Sequence, residues 1–330
     1  MDRRTFLTCA LGLPVAGVLP MVSQARAQAQ AWPNRTITIV VPFPPGGQSD
    51  LAARPIAIAL EKILERPVIV DNRQGAAGGI GNAFVAKANP DGYTLVMALS
   101  SAVVLPEADR LFDKKPMYEM DQLLPIARVL ADPTVIAVHA SSPWKTLQDL
   151  IDDAKQRPGA ITYSSSGAYG ATHVPMEMFT QSAGIRFRHI PYRGGGPALT
   201  AMLAKQVDTL AAAPGVVAPH VESGTTRVLA SWSNARTKEL PNLPTFKELG
   251  FADVEFYIWA GLFAPKNTPE PIVTRLRDAM RQAMQNSQIT SVFEKAGSPP
   301  AYLDQPEFMR FIVDDSARLI PAVKKIGKVE

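Results

Sequence analysis

Apolar positions along this chain follow two alternating rhythms. Thr36-Ile37-Thr38-Ile39-Val40-Val41 is a β-branched run of the kind that forms a strand covered on both faces. Gly46 and Gly47 then make a turn. Leu51, Ile56, Leu60, Ile63 and Leu64 recur at helical spacing, and Val68-Ile69-Val70 starts a second strand. The pattern predicts a β-α-β unit, with Pro55 kinking its helix or delaying its start, since proline removes an internal hydrogen bond. Further on it predicts a helix around 79–88, strands at 94–97 and 134–138, and a helix over 147–156 opened by Ser142-Pro143. Short strands follow at 161–163, 187–190, 207–210 and 228–230, then a surplus apolar strand at 256–263. From Thr268 the rhythm is helical: over 271–285 Ile272, Val273, Leu276, Ala279, Met280 and Ala283 share one face, and 307–325 forms another helix. The class is α/β. The expected architecture is two parallel sheets in two lobes, with a chain that crosses between them twice and a cleft where they meet.

The other apolar run lies at the beginning. Met1-Asp2-Arg3-Arg4-Thr5-Phe6-Leu7 sets a twin-arginine pair before it, and Ala25-Arg26-Ala27 supplies a small-x-small cleavage site. Pro14 and Pro20 interrupt the run over 6–22, which falls short of the roughly 20 residues a spanning helix needs. Residues 1–27 therefore read as a cleaved export signal, and the periplasm as the destination. Cys9, the only cysteine, lies inside this segment. The mature chain is expected to hold no disulfide, iron–sulfur cluster or cysteine nucleophile.

Charge narrows the partners. The formal net charge is +4, and losing Arg3, Arg4, Arg26 and Asp2 with the leader lowers it to +2. No nucleic-acid partner is expected from so small an excess. Lys324, Lys325 and Lys328 form the one dense basic patch and read as a solvated helix end.

Three glycine-rich segments carry chains from strand ends into helix starts, the edge at which open α/β sheets bind ligands. They are Val41-Pro42-Phe43-Pro44-Pro45-Gly46-Gly47-Gln48-Ser49-Asp50, the stretch from Tyr163 to His173 with Ser164, Ser165, Ser166 and Thr172, and Pro191-Tyr192-Arg193-Gly194-Gly195-Gly196-Pro197. First-turn N–H groups of a helix have no internal partner and can meet a carboxylate or phosphate. In the first segment a second role stays open, with Ser49 or Asp50 satisfying those donors as an N-cap. Taken together the three suggest an anion cradle shared by two lobes.

Catalytic patterns are incomplete. His139, His173, His189 and His220 lack metal-ligand spacing, so no metal site is expected. Ser164 to Ser166 sit in no Gly-x-Ser-x-Gly elbow. Gly75-Ala76-Ala77-Gly78-Gly79-Ile80-Gly81 lacks both the Gly-Lys-Ser/Thr of a P-loop and the spacing of a dinucleotide fold, so no cofactor is expected. The rival from another class is an exported hydrolase or isomerase built on Ser166, His173 and Asp208.

The chain resembles the extracytoplasmic solute receptors of tripartite tricarboxylate transporters, the Bug family. The likeness rests on Trp32-Pro33-Asn34-Arg35, the 41–50 segment, Val70 to Gly81, Pro90-Asp91-Gly92-Tyr93-Thr94-Leu95, His189 to Leu199, Gln206-Val207-Asp208, Leu243-Pro244-Thr245-Phe246 and Trp259 to Pro265. It implies a type II periplasmic-binding-protein fold, with lobe 1 formed by 28–133 and 256–330 and lobe 2 by 134–255. It also implies a monomer that holds a small mono- or dicarboxylate in the cleft and delivers it to separate membrane transporter subunits; a sensory receptor for an organic acid is the alternative. Ligand-binding positions implied in this way are Phe43, Pro45, Gly46, Gly47, Asp50, Ser100, Ser101, Ser166, Gly167, Thr172, His173, Gly194, Gly195 and Asp208. Asp50 and Asp208 are expected to organise loops, since a carboxylate facing an anion repels it. Tyr169 stands where the family usually has glycine, and two roles are open to it: covering an aromatic or larger carboxylate, or facing solvent.

Overall fold

The β-branched run at Ile37 becomes the buried second-to-last strand of a six-stranded sheet. The computed structural model describes residues 32–238 and 240–329; the twin-arginine leader, its cleavage site and Cys9 lie outside the described residues. In chain order the strands are β1 (Ile37–Val41), β2 (Val68–Asn72), β3 (Thr94–Leu99), β4 (Leu123–Pro133), β5 (Val135–His139), β6 (Thr162–Ser165), β7 (Arg188–Pro191), β8 (Thr209–Ala212), β9 (Thr226–Ser231), β10 (Tyr257–Pro265) and β11 (Pro300–Asp304). The helices are α1 (Gln48–Leu64), α2 (Gly79–Ala86), α3 (Leu105–Leu111), α4 (Leu147–Gln156), α5 (Val174–Ala183), α6 (Gly195–Leu203), α7 (Pro214–Glu222), α8 (Glu270–Gln285), α9 (Ser287–Lys295) and α10 (Gln305–Ile326). Among the described residues no helix is long and apolar enough to cross a membrane.

Strand order is β11-β4-β10-β3-β1-β2 in the first sheet and β7-β6-β8-β5-β9 in the second. The expectation of two parallel sheets is corrected: both are mixed. β10 runs antiparallel to β3 and β4, β11 antiparallel to β4, and β5 antiparallel to β8 and β9. The reversal comes from the crossing of the chain. β4 ends at Pro133 and β5 begins at Val135, so one nearly continuous extended segment leaves the first sheet and enters the second with Thr134 between them.

The return crossing runs beside it. Thr134 donates its N–H to the carbonyl of Phe256 (3.2 Å), Trp232 donates to Thr134 (2.8 Å), and Phe256 donates to Trp232 (3.0 Å). Backbone polar groups at the hinge are thereby satisfied within it, as burial requires.

α1 runs unbroken through Pro55, and its start is not delayed. Proline removes one hydrogen bond, whereas Ala52, Ala53, Ile56, Leu60 and Leu64 are buried against the first sheet along one stripe, and that packing holds the helix. α10 packs on β4 and β11 of the first sheet and reaches α5 of the second lobe. Its Phe308 meets Trp259 of β10 edge-on at 5.5 Å, and Asp315 accepts the indole N–H of Trp259 at 2.7 Å. The second lobe is filled by aromatic side chains, Phe246 lying 4.2 Å from Trp232 and 4.8 Å from Phe179 between ring centroids.

Candidate functional site

Helix starts from both sheets end at one enclosed space. Gly47, the N-cap of α1, and Gly195, the first residue of α6, line it with Ala213, the N-cap of α7, and Thr172, just ahead of α5. Neither Gly47 nor Ala213 supplies a side-chain cap, and Gly194 at the start of α6 supplies none. The uncapped starts of α1 and α6 present free N–H groups, and α7, which opens on Pro214 and so offers fewer, adds the positive end of its helix dipole; the space is thus polarised for an anion without any cationic side chain. Phe43, Gln48, Leu99 and Ile258 wall it on the first lobe, and Ser166, Ala171, Ala211, Ala212 and Val216 on the second. It measures about 20 Å³, room for a single water molecule.

The space is small because the jaws touch. A β-carbon on Gly194 would stand 2.5 Å from Cδ of Pro44, and one on Gly196 would stand 2.9 Å from the carbonyl of Pro45. Pro45 and Gly46 themselves are exposed at the rim. On the other side of the mouth Gly167 meets Ala77, at 3.1 Å for an added β-carbon. The facing turn is unusual: Gly75, Ala76, Ala77 and Gly78 all have positive φ, from 47° to 136°. Non-glycine residues in this region are strained, and here the turn is braced by Ser101, whose hydroxyl donates to the Ala77 carbonyl at 3.2 Å.

Asp50 builds the first jaw from behind. Its carboxylate accepts from the N–H of Gly46 (3.1 Å), from Arg54 (2.9 Å) and from Asn72 (3.3 Å). Burial works to raise its pKa, but these three partners outweigh burial and hold the carboxyl below its usual range. In the second jaw Ser166 donates its N–H to the Thr172 hydroxyl at 2.7 Å, and that hydroxyl donates to Ser166 Oγ at 3.0 Å.

The remaining expected positions fall outside the enclosed space. Ser100 is fully buried at the end of β3, its hydroxyl without a hydrogen-bond partner. Asp208 is at the opposite end of the second sheet: it accepts from the N–H (2.8 Å) and hydroxyl (2.7 Å) of Thr162, the first residue of β6, whereas the cavity lies beyond the last. Asp208 thus ties the start of β6 to the segment ahead of β8, the loop-organising role expected of it, and Ser166, His173 and Asp208 do not form a catalytic group. Tyr169 lines an outer groove of about 860 Å³ with Phe112, Lys114, Met117, Tyr192 and Arg193, rather than the enclosed space, and its hydroxyl is engaged by Gly327 and Val329.

His173 stands behind the second jaw with no exposed surface. Its Nδ1 accepts the N–H of Tyr169 at 3.0 Å, which places the proton of the neutral ring on Nε2; Nε2 lacks a hydrogen-bond partner, with Glu177 3.9 Å away. His189 lies 4.2 Å from it between ring centroids and contacts the Ser165 hydroxyl at 2.6 Å. Burial, and secondarily His189, holds the His173 pKa well below the usual value, and burial holds His189 at about 4. Burial raises the carboxyl of Glu177 against the opposing hydrogen bond from Tyr163.

Several lining residues escaped the sequence reading. Gln48, hydrogen-bonded to Asp132, stood inside the quoted glycine-rich segment, and Ala211-Ala212-Ala213 ahead of Pro214-Gly215 is a fourth strand-to-helix turn. A further depression of about 370 Å³ lies between α7 and α9; it touches the fourth turn only at Pro214 and none of the three glycine-rich segments.

The model of the tripartite tricarboxylate transporter family receptor matches residues 52–328. The Bordetella pertussis protein BugT is 32% identical over 324 residues, covering 98% of each chain. An R. palustris protein solved with adipate superposes with a TM-score of 0.84 at 29% identity, covering 90% of this chain and 98% of its own. MatC of Rhodopseudomonas palustris, solved with bound malate, gives 0.81 at 27% identity, covering 88% and 100%.

Proposed function

We propose, from the premise that the chain belongs to the tripartite tricarboxylate transporter receptor family, that it captures a small carboxylate between its lobes in the periplasm and delivers it to separate membrane transporter subunits. The carrying observation is the convergence of uncapped helix starts from both lobes on one cavity lined by no charged side chain. Phe43, Gly47, Ser166, Thr172 and Gly195 face the ligand in this reading, while Asp50, Gly46, Gly167 and Gly194 shape the jaws around it. Export through the twin-arginine route and action as a monomer belong to the same proposal. Lobe 1 comprises 28–133 and 256–330 and lobe 2 comprises 134–255; the strands of the first sheet fall within 37–133 and 257–304 and those of the second within 135–231, which supports that division.

Affinity without a cation is physically reasonable. A hydrogen bond to a charged group contributes about 1.5–3 kcal/mol, and a micromolar complex needs about 8 kcal/mol. Four to six amides and hydroxyls meet that requirement once closure excludes water. A carboxylate that stabilises the closed state more than the open one then gives a membrane partner a means of distinguishing loaded from empty receptor.

Malate, adipate and an aromatic acid such as benzoate, titrated calorimetrically and by thermal shift, test the proposal. At least one is expected to stabilise the chain, by about 2.7 kcal/mol at 100 times its dissociation constant. A screen of aliphatic and aromatic acids in which none shifts the transition refutes it.

A further inference from the structure

We infer that the segment following α10 is a strap across the cleft, fastened to the second lobe by the hydroxyl of Tyr169. The inference rests on the receptor reading only for what closure accomplishes; the fastening itself stands on geometry.

Tyr169 belongs to the loop between β6 and α5 in the second lobe, whereas the strap leaves α10, which is anchored on the first lobe through Phe308 and Asp315 against Trp259. The phenol donates to the carbonyl of Gly327 at 2.6 Å and accepts the N–H of Val329 at 3.0 Å. One side chain thus holds both a donor and an acceptor of the strap. On the first lobe the same segment is pinned by Lys328 to Asp113 (3.0 Å) and, one turn earlier, by Lys324 to Glu107 (3.3 Å). Phe112, beside Asp113, meets the Tyr169 ring edge-on at 6.0 Å, so the ring is gripped from the first lobe as well.

Backbone conformation supports a role for this side chain. Tyr169 has a φ of 55°, a region that L side chains seldom occupy and that glycine adopts without strain. The surroundings hold it there: its N–H is donated to His173, and its hydroxyl makes the two strap bonds. The same loop carries Ser166 and Thr172 into the cavity, so the fastening is coupled directly to the ligand-facing surface. Opening the cleft on this side requires the phenol to release the strap. Tyr169 is therefore a positioning residue: it biases the lobes toward closure and slows the departure of whatever is enclosed.

Hydrogen exchange and small-angle X-ray scattering on the ligand-free chain test this directly. Tyr169→Phe keeps the ring and loses both strap bonds. The peptide covering 320–329 is expected to exchange at least tenfold faster and the radius of gyration to grow, with exchange in β6 unchanged as the check on folding. Deleting 327–330 leaves the loop intact and is expected to give the same expansion. With malate or adipate as probe, Tyr169→Phe is expected to dissociate about tenfold faster, the effect of losing hydrogen bonds of ordinary strength. Unchanged exchange and radius in Tyr169→Phe overturn the strap, as does a deletion with the wild-type radius. Expansion in both variants when neither probe binds supports the strap and counts against the proposed function instead.

Discussion

Gly194 of the second lobe and Pro44 of the first approach so closely that a β-carbon on the glycine would stand 2.5 Å from Cδ of the proline. Gly194 has a φ of 168°, extended backbone open to any residue, so the glycine is needed for the contact between lobes and not for its own conformation. Gly194→Ala is accordingly expected to leave each lobe folded and to wedge the jaws apart. Affinity for the carboxylate that binds the wild type should fall at least tenfold, with the denaturant midpoint nearly unchanged. Wild-type affinity in this variant would show that the jaws do not close on the ligand.

Asp208→Ala separates a structural carboxylate from a ligand contact. Removing it leaves the N–H and hydroxyl of Thr162 without their acceptor, a loss on the order of 1–3 kcal/mol for groups of this kind. Urea denaturation should register that loss while carboxylate affinity stays within twofold of wild type. Lost affinity at preserved stability would return Asp208 to the binding site.

Thr172→Val keeps the shape of the second jaw and removes the acceptor of the Ser166 N–H, a hydrogen bond of 2.7 Å in a buried site. Stability is expected to fall by about 1–3 kcal/mol, and carboxylate affinity with it, because the valine also takes a hydroxyl from the cavity. A variant with unaltered affinity would place recognition on the backbone amides alone.

Acid should loosen the second jaw. The pKa of His189 is about 4 in the native chain and that of His173 is well below 6.5, in both cases chiefly through burial, so the unfolded chain binds more protons below pH 6.5. Stability is complete above 6.5 and is lost as pH falls from there toward 4; His189 alone accounts for a loss on the order of 2–3 kcal/mol. Glu177 acts in the opposite sense: its raised pKa gives stability that is present below 4.5 and is lost as pH rises through the native value, so it cannot produce the acid loss. Charging His173 also removes the acceptor of the Tyr169 N–H. Urea midpoints at pH 7 and 4.5 should differ, and the difference should shrink in His189→Asn. Equal differences in both chains would assign the acid sensitivity elsewhere.

Local pattern made part of this molecule legible and left part of it hidden. α4 follows the predicted 147–156 span to the residue, because Leu147, Leu150, Ile151 and Ala154 keep strict helical spacing behind the Thr146 cap. β4, by contrast, contains Pro125, Asp132 and Pro133, residues that argue against a strand, yet it pairs with both β10 and β11. Tertiary pairing overrode propensity there. In the cavity, glycine and serine announced two of the jaws, while Ala211, Ala212 and Ala213 carry no chemistry a sequence can display. The partners of Tyr169 lie 158 and 160 residues away, beyond the reach of any periodicity.

The three backbone bonds among Thr134, Trp232 and Phe256 have a mechanical consequence. Two unconnected crossings would let one lobe swivel and tilt freely over the other, like a ball in a socket. Stitched together, the two crossings resist swivel and tilt, and bending along their shared line is the motion that keeps all three bonds, as in a door on its pin. The relative placement of the lobes then follows mainly one angle, and under the proposed function that angle is what a membrane partner spanning both lobes would read.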